Sequence, residues 1–404
     1  MKKFYSLSSS SLVSKSIIFG KQFFQSSCSR GFSISKCTLK NEKKRILFFG
    51  SDDFSLNTLK LVHSEFMRND LANICVVCPP DRKTIRRNSI TNVECVVKTF
   101  CKENNVPFVH PIEKYKTPEE RKKIQRLDLQ DLPRDPLLFG EGNNHDFNPK
   151  FDLGIVVSFA YFLQPGLLNQ FKSPDGRNSN IFNIHPSLLP RYRGPAPIHH
   201  ALLNGDSDTG ITIMELDDKE FDVGHIVKQK RIPIEPSETF TQLHDRLSKS
   251  GAEMMVEMIE ECNFNFSSLE RLRQSDMTET IKPTRARKVN FEMGEIDLTK
   301  EDVLTIYNKW RALEKIHVPF HDHGHDTKLI LKNVSYPILD ETMTNYEDIG
   351  TLFIDNTNSL CLQCKGGKLK INILQVEKKK EMNSKDFING NKSKLPMKLV
   401  STSE

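Results

Sequence analysis

The chain has 404 residues, enough for two ordinary domains, and its 58 Lys and Arg residues outnumber its 52 Asp and Glu residues. The net charge of +6 is mild, so it is compatible with nucleic-acid contact without demonstrating it. No apolar run reaches the ~18 residues of a membrane-spanning helix, which excludes a span of that kind.

The first forty residues differ from the rest of the chain. Seven Lys and Arg residues are interleaved there with serine and phenylalanine, and no acidic residue precedes Glu42. This composition is typical of an organellar transit peptide and favours the mitochondrion over the plastid. We therefore expect residues 1–42 to be a disordered transit peptide that directs the protein to the mitochondrial matrix. The alternative is a disordered basic tail.

Apolar runs and helical periodicity alternate between residues 44 and 261. The apolar runs predict strands at 44–50, 73–78, 106–109, 152–159, 181–185 and 210–216. The periodic segments predict helices at 56–65, with Ser55 as the N-cap, at 93–104 and at 238–261. This alternation predicts an open, mostly parallel α/β sheet with helices on both faces. In such sheets the reactive groups lie beyond the carboxyl ends of the strands.

Gly50 follows the first strand, at the place where a dinucleotide-binding loop would begin. The sequence Gly50-Ser51-Asp52-Asp53 lacks the second and third glycines of that loop. Its two carboxylates would also repel a pyrophosphate. The sequence therefore argues against NAD or ATP binding at this position.

Residues 117–150 are polar and irregular, and they interrupt the sheet pattern. Insertions of this kind are tolerated at a protein surface, so we expect a surface excursion from the α/β domain. A lid over the functional site is the alternative.

The most informative stretch follows an apolar strand. Because side chains alternate along a strand, Asn183 and His185 should lie on the same side of it. An amide can donate a hydrogen bond to a developing oxyanion, and an imidazole can move a proton; acyl transfer needs both. Asp222 follows another apolar run and could orient the imidazole, with Asp217 and Glu220 as nearby alternatives. A buried structural histidine and a turn aspartate are the non-catalytic interpretations.

The same residues carry a family resemblance. Asn183-Ile184-His185 is followed by Ser187-Leu188-Leu189-Pro190, then by Arg-Gly-x-x-Pro-Ile from Arg193 to Ile198, and later by Asp222 before Gly224. This order and spacing resemble the folate-dependent formyltransferases, and most closely the members that act on initiator tRNA. The resemblance is strong over this stretch and extends more weakly from Arg45 to Val400.

The resemblance implies that a formyl group moves from 10-formyltetrahydrofolate, a co-substrate, to the α-amino group of methionine on initiator tRNA. This step precedes translation initiation in organelles. It implies catalytic roles for Asn183 as oxyanion donor and for His185 as a second donor or a proton carrier. It implies that Asp222 fixes the histidine tautomer and raises its basicity, or positions a water between amine and carboxylate. The implied folate-binding segment comprises Ser187, Leu188, Leu189 and Pro190.

Basic residues in three places are candidates for contact with tRNA phosphates. One group loosely resembles a family loop near the tRNA acceptor end. A second lies in the motif and could instead bind the folate glutamate tail or cap local carbonyls. The third lies in a lysine-rich C-terminal stretch, whose alternative is a solvated face. The candidates are Arg82, Lys83, Arg86, Arg87, Arg191, Arg193, Lys378, Lys379 and Lys380.

The pattern changes after a polar, basic segment at 263–290, which we expect to be a linker. A helix is predicted at 302–313, and half-buried strands at 328–331 and 368–374. Similarity to the family implies a smaller OB-like β-barrel here, whereas periodicity alone does not. The expected organisation is a transit peptide (1–42), a formyltransferase catalytic domain (43–262), the linker (263–290) and a C-terminal OB-like tRNA-binding domain (291–404).

Nine cysteines, odd in number and scattered, argue against a disulfide framework, but two Cys-x-x-Cys pairs could form a zinc site. The pairs are Cys75/Cys78 and Cys361/Cys364. Alternation along the first pair's apolar strand would separate its thiols, so buried free cysteine is the better interpretation. The other metal-like group comprises His317, His321, His323 and His325. The last three fall in a predicted loop, where solvation is the better interpretation, and we expect no metal.

Three other functions remain open on the sequence. A folate-dependent formyltransferase acting on a small amine would use the same three catalytic residues. The hydrolase part of a formyltetrahydrofolate dehydrogenase would need a large further domain, for which 404 residues leave no room. A catalytically silent RNA-binding protein would not need an intact Asn183, His185 and Asp222 set. We expect a monomer whose partners are initiator methionyl-tRNA and 10-formyltetrahydrofolate, without membrane association.

Overall fold

A computed structural model gives the fold of most of the chain after residue 42. It describes residues 43–86, 89–112, 125–133, 151–173, 176, 178–278, 280–322, 325–340 and 348–399. The predicted transit peptide, Arg87, His323 and most of the predicted insertion at 117–150 lie outside the described residues.

The N-terminal part contains eleven strands among the described residues. They are β1 (Lys44–Gly50), β2 (Ala72–Val77), β3 (Arg82–Arg86), β4 (Ser89–Val93), β5 (Phe108–Val109), β6 (Gln125–Leu127), β7 (Leu153–Val157), β8 (Tyr161–Leu163), β9 (Ile181–His185), β10 (Asp208–Glu215) and β11 (Ile226–Pro233). Seven of them form one sheet in the order β11-β10-β9-β7-β1-β2-β5. The five strands from β5 to β9 in this order pair in parallel, whereas β10 pairs antiparallel with both β9 and β11. The mostly parallel α/β sheet is therefore confirmed.

Elements pack on both faces of this sheet. The helices are α1 (Asp53–Val62), α2 (Val96–Glu103), α3 (Pro165–Leu168), α4 (Pro197–Leu203) and α5 (Phe240–Cys262). Ile46 and Phe48 of β1 join the core under α1, α2, α4 and α5, while Leu47 and Phe49 join the core under α3. Strand alternation thus places successive apolar side chains in two separate cores.

The start of α1 differs from the prediction. Asp52, not Ser55, is the N-cap: its extended backbone lets its carboxylate accept a hydrogen bond from the Ser55 backbone N–H at 3.1 Å. The Ser55 hydroxyl accepts in return from the Asp52 backbone N–H at 3.0 Å. The two residues form a reciprocal capping box. Because both side chains can cap a helix, the residue types alone do not show which of them is the N-cap.

A hairpin was missed between β2 and α2. Strands β3 and β4 pair antiparallel over 82–93, so helix α2 begins at Val96 rather than at the predicted Val93. The hairpin carries Arg82, Lys83 and Arg86, three of the predicted tRNA contacts, in its first strand.

Two polar segments, the predicted insertion and the predicted linker, contain buried side chains. Within the predicted insertion, β6 pairs with β8, and Leu127 and Leu132 are only 1% and 2% exposed. In the predicted linker, Phe266, Gln274 and Ala286 are equally buried. These isolated buried residues stand among polar neighbours, so neither segment shows the periodicity that identifies a packed element. The surface-loop prediction therefore does not hold for Leu127 and Leu132, and the linker at 263–290 stays a prediction, now with packed side chains.

The C-terminal part is an antiparallel sheet that curls around its own core. Its strands are β12 (Ile316–Asp322), β13 (His325–Val334), β14 (Ile338–Leu339), β15 (Thr351–Ile354), β16 (Leu360–Cys364), β17 (Gly367–Val376), β18 (Met382–Asn383) and β19 (Met397–Lys398), and its helices are α6 (Val303–Leu313) and α7 (Ser384–Asn391). The order is β12-β13-β17-β16-β15-β19, with β14 and β18 also paired to β17. The expected small barrel-like domain is confirmed.

Trp310, the single tryptophan of the chain, lies on α6 against this core and is 6% exposed. Its indole N–H donates a hydrogen bond to the Lys332 carbonyl at 3.2 Å. On the same helix, Arg311 donates to the Glu235 carbonyl of the N-terminal part at 3.3 Å. Helix α6 therefore belongs to the C-terminal core and also contacts the catalytic part.

The metal-like groups of the sequence do not assemble. Cys75 and Cys78 enter different cores, as strand alternation predicts. His321 and His325 lie on β12 and β13 rather than in a loop, and His321 pairs with Asp326 at 2.9 Å. Within the described ranges, no three His, Cys, Asp or Glu side chains form a group that could hold a metal ion. None of the described helices is both long and apolar enough to cross a membrane.

Candidate active site

A cavity of about 610 Å³ opens at the carboxyl edge of the parallel strands. The ends of β1, β7 and β9 contribute Ser51, Ser158 and His185 to its lining, and the loop after β10 contributes Asp222. This is the place where an open α/β sheet is expected to carry its reactive groups, because the carboxyl ends of parallel strands meet at one edge.

Strand β9 delivers two of the predicted catalytic residues into this cavity. Phe182 and Ile184 point into the core under α5, so the alternate side chains of Asn183 and His185 face the cavity. The Asn183 amide makes no hydrogen bond to another described residue, which leaves its N–H groups available to a ligand. The predicted same-side placement of Asn183 and His185 is confirmed.

The His185 ring is held by a backbone group rather than by a carboxylate. Its Nε2 lies 2.9 Å from the Tyr192 carbonyl oxygen, which can only accept, so Nε2 carries the hydrogen. The other nitrogen, Nδ1, faces Asp222 Oδ1 at 3.8 Å, which is beyond hydrogen-bond distance. The expectation that Asp222 fixes the tautomer is therefore corrected: Tyr192 fixes it, and Nδ1 stays open toward Asp222.

Asp222 approaches the ring from a loop with a left-handed turn. Its φ of 61° is a conformation that Asp tolerates better than most residues, and its Oδ2 accepts a hydrogen bond from the Gly194 N–H at 2.8 Å. The alternatives Asp217 and Glu220 also line the cavity. Oδ1 of Asp217, however, accepts hydrogen bonds from two backbone N–H groups of its own turn, at 2.8 and 3.0 Å. Of the three carboxylates, only Asp222 pairs with His185.

Aromatic rings form an apolar wall of the cavity. Phe162 and Phe221 meet edge to face with centroids 4.8 Å apart, and Phe159 stacks on Tyr161 at 4.9 Å. Such a wall suits a flat heteroaromatic ring. The sequence analysis missed these residues, although three aromatic rings within four positions directly after a buried strand were a usable signal.

The predicted folate-binding segment does not line the cavity with its side chains. Ser187, Leu188, Leu189 and Pro190 are all buried, and the Ser187 hydroxyl donates to the Arg191 carbonyl at 2.7 Å. Leu189 packs against Met214 and Ile226. These side chains support the turn after β9, and the contact of this segment with folate stays a prediction.

Two of the predicted phosphate-binding arginines are engaged within the protein. Arg191 forms an ion pair with Asp206 and lies 3.7 Å from Asp208, so its charge is already offset. Arg193 donates from Nε and Nη2 to the Gln274 side-chain oxygen at 2.9 and 2.7 Å. The charge of Arg191 is therefore paired, whereas Arg193 keeps further N–H groups beyond the two bound to Gln274, and both stay predicted contacts.

The remaining basic candidates lie in two other parts of the chain. Lys378, Lys379 and Lys380 are exposed in the turn between β17 and β18. Together with the residues of the β3–β4 hairpin they remain predicted tRNA contacts.

Asp52 is a cavity residue that sequence reasoning did not select. It caps α1 and lines the cavity beside Ser158. Although its side chain opens to the cavity, desolvation by the surrounding protein raises the pKa of its carboxyl group above the ordinary value, against the opposing effect of the Ser55 backbone hydrogen bond. The carboxyl end of β1 thus adds a titratable group to the site.

Comparison with known proteins identifies the family of the chain. The Formyl transferase family model matches residues 44–259, and the model of the formyl transferase C-terminal domain matches residues 288–392. The mitochondrial methionyl-tRNA formyltransferase of Homo sapiens is 29% identical over 352 residues, which cover 86% of this chain and 77% of that protein. The methionyl-tRNA formyltransferase of Geobacter sulfurreducens is 30% identical over 346 residues, covering 86% and 93%. That of Thermosipho africanus is 31% identical over 348 residues, covering 86% and 96%. The chain therefore belongs to the formyl transferase family, among the methionyl-tRNA formyltransferases.

Proposed function

We propose that this protein transfers the formyl group of 10-formyltetrahydrofolate to the α-amino group of methionyl-initiator tRNA. The observation that supports this most is the convergence of Asn183, His185 and Asp222 on one cavity at the carboxyl edge of the sheet. An uncharged donor, a proton carrier and a carboxylate are the groups that an amine attacking a formyl carbon requires.

The tautomer of His185 defines its part in the reaction. With Nε2–H bound to Tyr192, the neutral ring presents the lone pair of Nδ1 beside the Asp222 carboxylate. Two acceptors side by side suit the substrate's α-ammonium group, which titrates near pH ~8 and has several N–H bonds to donate. Nδ1 takes one proton, and the free amine then attacks the formyl carbon.

Asn183 acts on the oxygen of the same formyl group. As the new C–N bond forms, negative charge develops on that oxygen, and the Asn183 amide donates an N–H to it without a change of protonation. The bond from the formyl carbon to the folate nitrogen then breaks, and the proton held on His185 moves to that nitrogen. The former amine nitrogen, positively charged after the attack, gives its second proton to the Nδ1 that has just been freed, and this proton leaves to solvent when the products dissociate. Loss of one such donor typically costs about 10²–10³ in rate.

The aromatic wall of the cavity is where we place the pterin ring of folate. Phe162 and Phe221 offer an apolar surface in the same cavity as the polar Asn183 and His185. Stacking on this wall would position the formyl nitrogen toward the catalytic residues. The buried Ser187–Pro190 segment would contribute by shaping the turn.

Initiator tRNA would contact the basic residues of the β3–β4 hairpin and the exposed Lys378, Lys379 and Lys380 of the turn after β17. Lysines supply salt-sensitive affinity and register rather than base identity. We also place the protein in the mitochondrial matrix, as a monomer, with residues 1–42 as the transit peptide. The acid-free basic composition of that segment supports this, as does the mitochondrial human relative. A fluorescent protein carrying residues 1–42 should enter mitochondria, and a cytosolic signal would contradict the localisation.

The function is tested with purified full-length protein, 10-formyltetrahydrofolate and three acceptors: methionyl-initiator tRNA, methionyl-elongator tRNA and a small amine. We expect formylation of the initiator tRNA, and at least ~10²-fold slower turnover by folded Asn183→Ala and His185→Ala variants. Preference for the small amine would overturn the substrate assignment. Turnover by either folded variant at the wild-type rate would overturn its catalytic role.

A further inference from the structure

Gln274 is a buried polar residue of the segment that joins the two parts of the chain. Its side chain is 2% exposed, although it belongs to a polar stretch that the sequence predicts to be a linker. A polar side chain buried this deeply loses its hydration and is retained only when its hydrogen bonds are made. Its partners therefore indicate what it does.

All of the hydrogen-bonding groups of Gln274 are used, and their orientation is unambiguous. Its oxygen accepts from Nε and Nη2 of Arg193 at 2.9 and 2.7 Å. Its nitrogen donates to the backbone carbonyls of Asp222 and Gly224 at 2.9 and 3.0 Å. Because arginine can only donate and carbonyls can only accept, the amide cannot be flipped.

These bonds hold the loop that carries the Asp222 carboxylate. Asp222 has a positive φ, and the Gln274 side-chain nitrogen donates hydrogen bonds to the backbone carbonyls of Asp222 and of Gly224 two residues later. Arg193 in turn is fixed to the same segment, because its backbone N–H donates to the Thr284 carbonyl at 2.9 Å and its carbonyl accepts from Ala286 at 2.7 Å. The turn after β9 and the Asp222 loop are thus tied together through Gln274.

We propose that Gln274 is a positioning residue for catalysis, which sets the distance between the Asp222 carboxylate and Nδ1 of His185. The proposal rests on the proposed formyl transfer and adds a residue that does not line the cavity. The separation of 3.8 Å leaves room for a shared N–H donor, and a displacement of about 1 Å at such a site can cost roughly 10² in rate. A packing role alone would predict lost stability without this effect on the reaction.

Two substitutions at Gln274 distinguish its hydrogen bonds to Arg193 from its hydrogen bonds to the Asp222 loop. Gln274→Met removes both sets of bonds at similar volume. Gln274→Glu keeps a partner for Arg193 but places a carboxylate against the two loop carbonyls, so it releases the Asp222 loop without releasing Arg193. We expect kcat to fall at least about tenfold in both variants, with KM for tRNA and for the formyl donor within about twofold of wild type.

A double-mutant comparison tests whether Gln274 acts through Asp222. In an Asp222→Ala background, Gln274→Met should cause no further loss of kcat, because the carboxylate it positions is absent. The matched control is Gln363→Met: Gln363 is 5% exposed and also donates to two backbone carbonyls, Cys364 and Gly367, but it lies in the C-terminal sheet. This control should lose stability and keep kcat.

A second measurement does not depend on the formylation assay. The imidazole NMR signals of His185, recorded at fixed pH, should shift in the same direction in Gln274→Met as in Asp222→Asn, since the first displaces the carboxylate beside Nδ1 and the second removes its charge. Equal loss of kcat in both backgrounds, a rise in KM for tRNA alone, or unshifted His185 signals in the folded variants would overturn the positioning role. A wild-type protein that formylates no tRNA, while the His185 signals shift as expected, would overturn the proposed function and leave the positioning intact.

Discussion

Asp222→Asn separates the charge of this carboxylate from its structural role. The asparagine side-chain oxygen can still accept the hydrogen bond that Asp222 receives from the Gly194 N–H at 2.8 Å, so the loop should keep its conformation. What is lost is a negative charge 3.8 Å from Nδ1 of His185. Two unit charges near this distance interact by about 4 kcal/mol at an effective dielectric constant of ~20, and both side chains are largely buried. If the charge stabilises the proton on His185 in the transition state, kcat should fall about 10³-fold.

The assay is single-turnover formylation of methionyl-initiator tRNA at saturating formyl donor, with the thermal unfolding midpoint measured in parallel. We expect the midpoint to stay close to wild type while the rate of the chemical step falls. Asp222→Ala should be at least as slow and less stable, because it also loses the bond to Gly194. An Asp222→Asn variant that reacts within about tenfold of wild type would refute the electrostatic argument, since it would show that the charge is dispensable.

Three further predictions concern other parts of the catalytic domain. A Cβ at Gly224 would lie 1.8 Å from a backbone carbonyl oxygen of β10. Gly224→Ala should therefore lower the free energy of unfolding in urea by roughly 1–3 kcal/mol and slow formylation. An unchanged midpoint of urea unfolding would contradict this. A hydrogen bond with the Cys78 thiol and the backbone N–H groups of α2 lower the pKa of Cys95 to about 6, whereas burial raises the pKa of Cys262. Iodoacetamide at pH 7 should therefore label Cys95 before Cys262, as followed by mass spectrometry. Equal labelling of the two thiols would be the contrary result. Desolvation lowers the pKa of His199 from 6.5 to about 4, so the unfolded chain takes up the proton at a higher pH than the folded protein does. The free energy of unfolding should therefore decrease as the pH falls from 6.5 toward 4, by at most roughly 3 kcal/mol. The decrease should be less steep in His199→Phe.

The part of the site that could be predicted is the part that depends on local periodicity. Alternation along β9 requires Asn183 and His185 to share a side, and the apolar run before Asp222 places it at the same edge of the sheet. Chemistry follows directly from those residue types. The resemblance to the formyltransferases added the substrate and the C-terminal barrel, which periodicity did not reveal.

The part that failed depends on contacts between distant segments. The partner of His185 is a carbonyl of Tyr192, and that carbonyl is aimed by a positive φ of 60° that no sequence pattern announces. Ser187 and Leu189 are buried only because β10 and β11 close over the turn after β9. Gln274 looks like any polar linker residue until the Asp222 loop covers it. Each of these requires the tertiary structure before the local role can be known.

The position of Trp310 has a spectroscopic consequence. Because the chain has one tryptophan, and that residue is buried on α6 against the C-terminal core, selective excitation of indole reports on this half of the molecule alone. Far-ultraviolet circular dichroism follows the helices of both halves. Emission and ellipticity that change at different urea concentrations would show that the two halves unfold in separate steps, without any label or truncation. The unmodified protein thus carries its own optical probe of how tightly its halves are coupled.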